Sequence, residues 1–179
     1  MRSIWLHKKE TSRKLLSSSR EGVAETGSYL IAHDIGTSGN KATLFSVDGQ
    51  LVKSVTEPYG VRFFHGNWAE QAPLDWWNAV CISTNRLLEG IEKRDVLAIS
   101  FSGQMMGCVC VDAEGNALRD AIIWADMRAY EQEQRLREQI PMERFYHITG
   151  HRPSSSYSIE KLMWVKDHEP DLYKKTFKM

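Results

Sequence analysis

The segment Asp34-Ile35-Gly36-Thr37-Ser38-Gly39-Asn40-Lys41 separates two short apolar runs, Tyr29-Leu30-Ile31-Ala32 and Ala42-Thr43-Leu44-Phe45-Ser46-Val47. Both runs are rich in β-formers and bounded by turn residues, so they read as strands. A tight glycine-containing turn between them points backbone N–H groups outward and forms an anion cradle. Thr37 and Ser38 add hydroxyls, Lys41 adds a positive charge, and Asp34 can hold a metal ion or its water. A carboxylate, a small loop, hydroxyls and a cation supply the charge neutralisation and positioning that phosphoryl transfer needs. Taken alone, the octet also fits an ordinary hairpin turn with an exposed lysine.

Val47-Asp48-Gly49-Gln50 follows, and Asp-Gly between apolar runs signals a hairpin. Residues 51–59 then read as a third strand. The chain therefore opens with an antiparallel meander whose first turn is the phosphate-type loop. That arrangement resembles the superfamily of actin and the sugar kinases.

Four ordered motifs narrow the resemblance. Residues 66–77, Gly-Asn-Trp-Ala-Glu-Gln-Ala-Pro-Leu-Asp-Trp-Trp, resemble the segment before the first helix of FGGY carbohydrate kinases. Residues 99–107, with Gly103-Gln104-Met105-Met106-Gly107, resemble their Gly-Gln-Met sugar loop. Trp124-Ala125-Asp126-Met127-Arg128 resembles their Trp-x-Asp-x-Arg segment. Ile148-Thr149-Gly150 and the stretch 158–164 also fit in order. The match runs from about Tyr29 to the C-terminus and is nearest the xylulokinase-like branch.

The resemblance implies an α/β fold, an actin-like/ribonuclease H-like ATPase domain with a mixed sheet flanked by helices, incomplete at the C-terminus. It implies ATP and Mg²⁺ as cofactors, with Asp34 acting through the metal. Gly36, Thr37, Ser38 and Lys41 would hold the phosphates, and Gln104, Met105, Met106, Trp124 and Asp126 would shape the sugar pocket. Related kinases have two domains of similar size, so residues 29–179 read as the N-terminal part of the first, with the second absent and the catalytic base beyond Met179. A ketopentose such as xylulose is the implied acceptor, and a homodimer the implied assembly of the complete enzyme. Many xylulokinase-like members carry Met-His where this chain has Met105-Met106, which leaves gluconate, glycerol or another polyol open. A non-catalytic sugar-binding module and a remnant without function remain as rival readings.

Lys+Arg and Asp+Glu both number 23, so the net charge is zero. That gives no electrostatic case for nucleic acid or an anionic membrane as a partner. No apolar run approaches the roughly 20 residues of a membrane span. The three cysteines, Cys81, Cys108 and Cys110, are too sparse for a disulfide framework and read as buried thiols, which suits a cytoplasmic protein. Residues 1–28 are polar and serine-rich, with six Lys/Arg against three Glu, and are expected to form a disordered tail.

Helical spacing of Trp77, Val80, Cys81, Thr84, Leu87, Leu88 and Ile91 predicts a helix from Pro73 to about Gly90. Residues 96–101 read as a buried strand, 108–111 as another, and 121–124 as a strand end. Helices are expected over 126–139, from Pro141 to Gly150, and from Ser158 to about Lys166 with Ile159, Leu162 and Met163 on one face. Pro170 is expected to end the last. Gln104 falls at a strand's C-terminal end, where open α/β sheets place ligands. Trp124 can stack on a sugar. Asp126 can accept hydroxyl protons or pair locally with Arg128, and the two readings stand level. Trp68, Trp76 and Trp77 read as packing residues, Glu70 and Gln71 as polar groups placed to position that loop, and His33 as a satisfied strand histidine.

Overall fold

The computed structural model describes residues 27–179. The tail expected over 1–28 lies outside them, apart from Gly27 and Ser28. The meander forms as expected: β1 (Tyr29–Ile35), β2 (Gly39–Ser46) and β3 (Leu51–Pro58). Gly49, with φ of 91°, makes the second turn, a conformation that favours glycine. β1 alternates inward Ile31 and His33 with outward Asp34, and β2 buries Asn40, Ala42 and Leu44. This period of two is what the alternating pattern dictates.

β3 leads through β4 (Arg62–Phe64) and β5 (Trp68–Gln71) to helix α1 (Pro73–Leu87). Pro73 occupies the first helical turn, where its missing N–H costs nothing. The helix stops three residues before Gly90, which takes φ of 79° in the turn beyond it. α1 lies on β2 and β3 and closes a core of Ile31, Ala42, Leu44 and Leu87.

After a 3₁₀ turn (Lys93–Asp95), β6 (Val96–Gly103) runs parallel to β1, giving a mixed sheet in the order β3-β2-β1-β6. The expectation that β6 is buried is not met. Leu97, Ile99 and Phe101 are 57%, 49% and 56% exposed, because β6 is the edge strand and nothing among the described residues covers it.

A second, three-stranded sheet orders as β4-β5-β7, where β7 is Ala121–Ile122. β4 and β5 lacked a clear strand signal, being three and four residues long. The stretch 108–111 is not a continuous strand. It makes isolated bridges, Cys108 to Ile122 and Val111 to Ala117 and Lys178. Cys108 and Cys110 point to one side, with sulfurs 3.9 Å apart, in a core with Ile122, Ala129, Trp164 and Val165.

The helices that follow are α2 (Tyr130–Gln139), α3 (Met142–Thr149), α4 (Ser158–His168) and α5 (Pro170–Lys175). Four expectations change. Residues 126–129 are not helical, since buried Asp126 and Arg128 hold that segment in an irregular turn. The inward face of α4 carries Glu160, Lys161, Trp164 and Val165, while Ile159 is 47% exposed. Pro170 does not simply stop a helix; it begins α5 after a one-residue break at Glu169. Trp77, expected to pack, is 60% exposed on the outer side of α1.

Candidate active site: a phosphate loop beside a polar acceptor pocket

Parallel pairing puts the C-terminal ends of β1 and β6 side by side. Ile35 stands opposite Gly103, and the Gln104 amide donates to Ile35 O at 2.9 Å. The turn after β1 and the loop after β6 therefore meet at one end of the sheet, where ligands gather in open α/β folds.

The turn is tight. Gly36 N–H donates to Asp34 O and Gly39 O, and a Cβ on Gly36 would come within 3.2 Å of Gly39 O. A Cβ on Gly39 would press to 2.8 Å from Glu57 O, so β3 seals the turn from behind. The Tyr59 hydroxyl donates to Gly36 O at 2.6 Å. Burial and the nearby Asp34 carboxylate push Tyr59 up to about 12, so it stays a neutral donor. Among the described residues the N–H groups of Thr37 and Ser38 have no hydrogen-bond partner, nor have the Asp34 carboxylate and the Lys41 ammonium. Two open amides, an exposed hydroxyl and a cation fit an anionic phosphate, and a free carboxylate fits a hard divalent cation.

Gln71 joins this turn to the loop after β6. Its Nε2 donates to Thr37 O at 2.7 Å and Gly60 O at 3.0 Å, and its Oε1 accepts from Trp76 Nε1 at 3.2 Å. Two carbonyls and an indole N–H fix which end of that amide is which. The Gln104 atom 2.7 Å from Gln71 Oε1 must then be the donor Nε2. Gln104 Oε1 is left buried with no partner among the described residues.

Trp124 completes the rim. Its Nε1 donates to Thr37 Oγ1 at 2.8 Å, while Trp124 remains 42% exposed; Met105, next to Gln104 in the chain, is 73% exposed. Met106 sits in the left-handed region with φ of 62°. Thr37, Gln104, Met105 and Trp124 are thus brought together.

Asp126 is placed differently. It is fully buried, and its oxygens accept from Ala69 N at 2.6 Å, Arg128 N at 2.9 Å and the Arg128 guanidinium at 2.7–3.0 Å. Arg128 also meets Glu70 at 2.8 Å and lies 3.8 Å over the Trp68 ring. The local-pair reading of Asp126 and Arg128 is the one the geometry realises. His33 is a satisfied core histidine: Asn40 lies 3.0 Å from Nδ1 and Thr84 3.2 Å from Nε2. Sequence reasoning missed Lys161 and Ser156. A lysine on an amphipathic helix and a serine in a Pro/Ser loop carry no signal of inward contact.

The fold and the two loops at its sheet ends define an actin-like/ribonuclease H-like ATPase domain. Residues 29–179 match the N-terminal domain of the FGGY family of carbohydrate kinases. The chain belongs to that family. It is 33% identical over 150 residues to a xylulose kinase of Staphylococcus xylosus, covering 84% of this chain and 31% of that protein. It is 35% identical over 149 residues to a xylulose kinase of Escherichia coli strain K12, covering 83% and 30%. The structure superposes on ligand-bound xylulose kinase from Lactobacillus acidophilus with a TM-score of 0.78 at 27% identity, covering 84% and 31%. The chain spans about three-tenths of the length of these relatives, at their N-terminal part.

Proposed function

We propose that this chain is the acceptor-binding and phosphate-loop portion of an ATP-dependent sugar kinase acting on a ketopentose such as xylulose. The observation that carries the reading is Gln104 Oε1. A buried acceptor without a donor is costly, and a substrate hydroxyl relieves it. The reading is supported by the xylulose kinases to which the chain is similar.

ATP with Mg²⁺ would supply the γ-phosphoryl group and neutralise its charge. Asp34 is the residue that would hold the metal, and Gly36 gives the close turn. The Thr37 and Ser38 amides and Lys41 would hold phosphate oxygens. Gln104 Oε1 orients a sugar hydroxyl, and Trp124 offers its exposed face to the carbon skeleton beside Met105. Met106 shapes the floor, and Asp126 acts from within by fixing the Trp124 segment. In the transfer, the sugar oxygen forms the new P–O bond as the bond to ADP breaks, and the hydroxyl proton passes to a base. No residue of this chain is assigned as that base, so we expect acceptor binding without turnover.

Calorimetric titration of the 179-residue chain with D-xylulose, gluconate and glycerol, with and without MgATP, tests the reading. Saturable binding of D-xylulose without ATP consumption is expected. Binding of gluconate or glycerol in its place moves the acceptor assignment, and binding of none overturns it.

A further inference from the structure

One buried charge has no part in the steps above. Lys161 on α4 is 0% exposed, yet it is a lysine in the middle of the fold. Its ammonium donates to three backbone carbonyls: Met106 O at 2.8 Å, Ile123 O at 2.8 Å and Ser156 O at 2.5 Å. An ammonium has three N–H donors, so each is used. Burial lowers Lys161 to about 8, with Asp126 opposing, so at pH 7 it is charged and retains all three donors.

The three carbonyls belong to three different segments of the acceptor pocket. Met106 ends the Gln104 loop and holds φ of 62°, a backbone state unfavourable for a non-glycine residue. That conformation coincides with its carbonyl meeting Lys161. Ile123 directly precedes Trp124. Ser156 donates from Oγ to Trp124 O at 2.6 Å, which closes the set. A single buried cation therefore ties the Gln104 loop, the Trp124 segment and the serine loop at one point.

We infer that Lys161 is a positioning residue that sets the Gln104 loop and Trp124 at their working separation. The sugar role of that pocket rests on the function proposed above; the three-way tie does not. Removing the ammonium leaves Met106 O and Ser156 O without a donor and Ile123 O with the Asp126 N–H alone, and frees Met106 to relax from its left-handed state. The pocket then loses its fixed spacing while the β1–β2 turn, held by Gln71 and Tyr59, keeps its own.

The test is amide hydrogen exchange by NMR at pH 7 on the whole chain, for the wild type and Lys161→Met. Reporter amides are Gln104, Cys108, Asp126 and Tyr157, each of which donates to a backbone carbonyl in the structure. Amides of α1 and the β1–β2 ladder serve as references. Lys161→Met is expected to raise exchange at least tenfold at the reporters and leave the references unchanged. It is also expected to shift the Trp124 indole N–H resonance and weaken D-xylulose binding about tenfold. Should Lys161→Met fail to fold, Lys161→Gln, which keeps two donors, is read the same way. Unchanged exchange, or a rise spread evenly over the fold, overturns the inference. If the wild type binds no D-xylulose while the reporters still respond, the sugar reading falls and the positioning role stands.

Discussion

Asp34 and Lys41 stand directly opposite one another across β1 and β2, yet no ion pair joins them among the described residues. Opposite charges facing across an antiparallel pair are ordinarily drawn together. Here both side chains are exposed at the mouth of the Gly36–Ser38 turn, with Ser102 on the far side of Asp34. Each is available to a ligand instead.

Asp34→Ala and Lys41→Ala should therefore change stability by less than about 0.5 kcal/mol. Urea unfolding of each variant checks this. A loss above about 1.5 kcal/mol would mean that the charges serve the fold.

Gln71 should behave in the opposite way. It is 3% exposed and serves four partners, so Gln71→Leu strands Thr37 O, Gly60 O, Trp76 Nε1 and the Gln104 amide. A loss of roughly 2–4 kcal/mol is expected, since buried groups left unpaired each carry a desolvation cost. Equilibrium unfolding gives the number, and the Trp76 indole N–H resonance should move with it.

Arg128 is held by Asp126 and Glu70 and lies over Trp68. Arg128→Met leaves the buried Asp126 carboxylate without its cation, while Glu70 keeps Arg62 and Arg119, and should cost about 3–5 kcal/mol. Arg128→Lys should recover only part, because an ammonium cannot reproduce the two-toothed contact with Asp126 or the flat stack on Trp68. Thermal unfolding of both variants ranks them; equal melting temperatures for Arg128→Lys and the wild type would contradict this.

Burial lowers His33 below its ordinary value of 6.5, partly offset by its hydrogen bond to Asn40. The unfolded chain therefore binds this proton at higher pH than the folded one. Its contribution is complete above pH 6.5 and falls away as pH drops through the folded value. Wild-type stability should decline below about pH 6.5, and His33→Gln should flatten that decline. An equal drop in unfolding free energy between pH 7.5 and 5.5 for the wild type and His33→Gln, read from urea titrations, would contradict the assignment.

Local signals made much of this fold legible. Asp48-Gly49 specified the second hairpin, the β-formers bounded by turn residues in 29–47 specified two strands, and Pro73 marked the start of α1. The phosphate-type turn was visible because its residues are contiguous. The rest depended on contacts between distant segments. Whether Asp126 met a ligand or Arg128 turned on Ala69 and Glu70, more than fifty residues earlier. Lys161 looked like a solvated helix residue because the three carbonyls that hold it come from positions 106, 123 and 156. The exposure of β6 was hidden for a similar reason. An apolar, β-branched run reads as central whether or not a neighbouring strand is there to cover it.

The central claim is that Gln104 Oε1 receives a sugar hydroxyl at the pocket rimmed by Trp124. The direct measurement is the Gln104 side-chain amide resonance, with the Trp124 indole N–H beside it, followed during titration with D-xylulose. Saturable shifts of both, absent in Gln104→Leu for the indole, are predicted. No shift in either at millimolar D-xylulose would contradict the account.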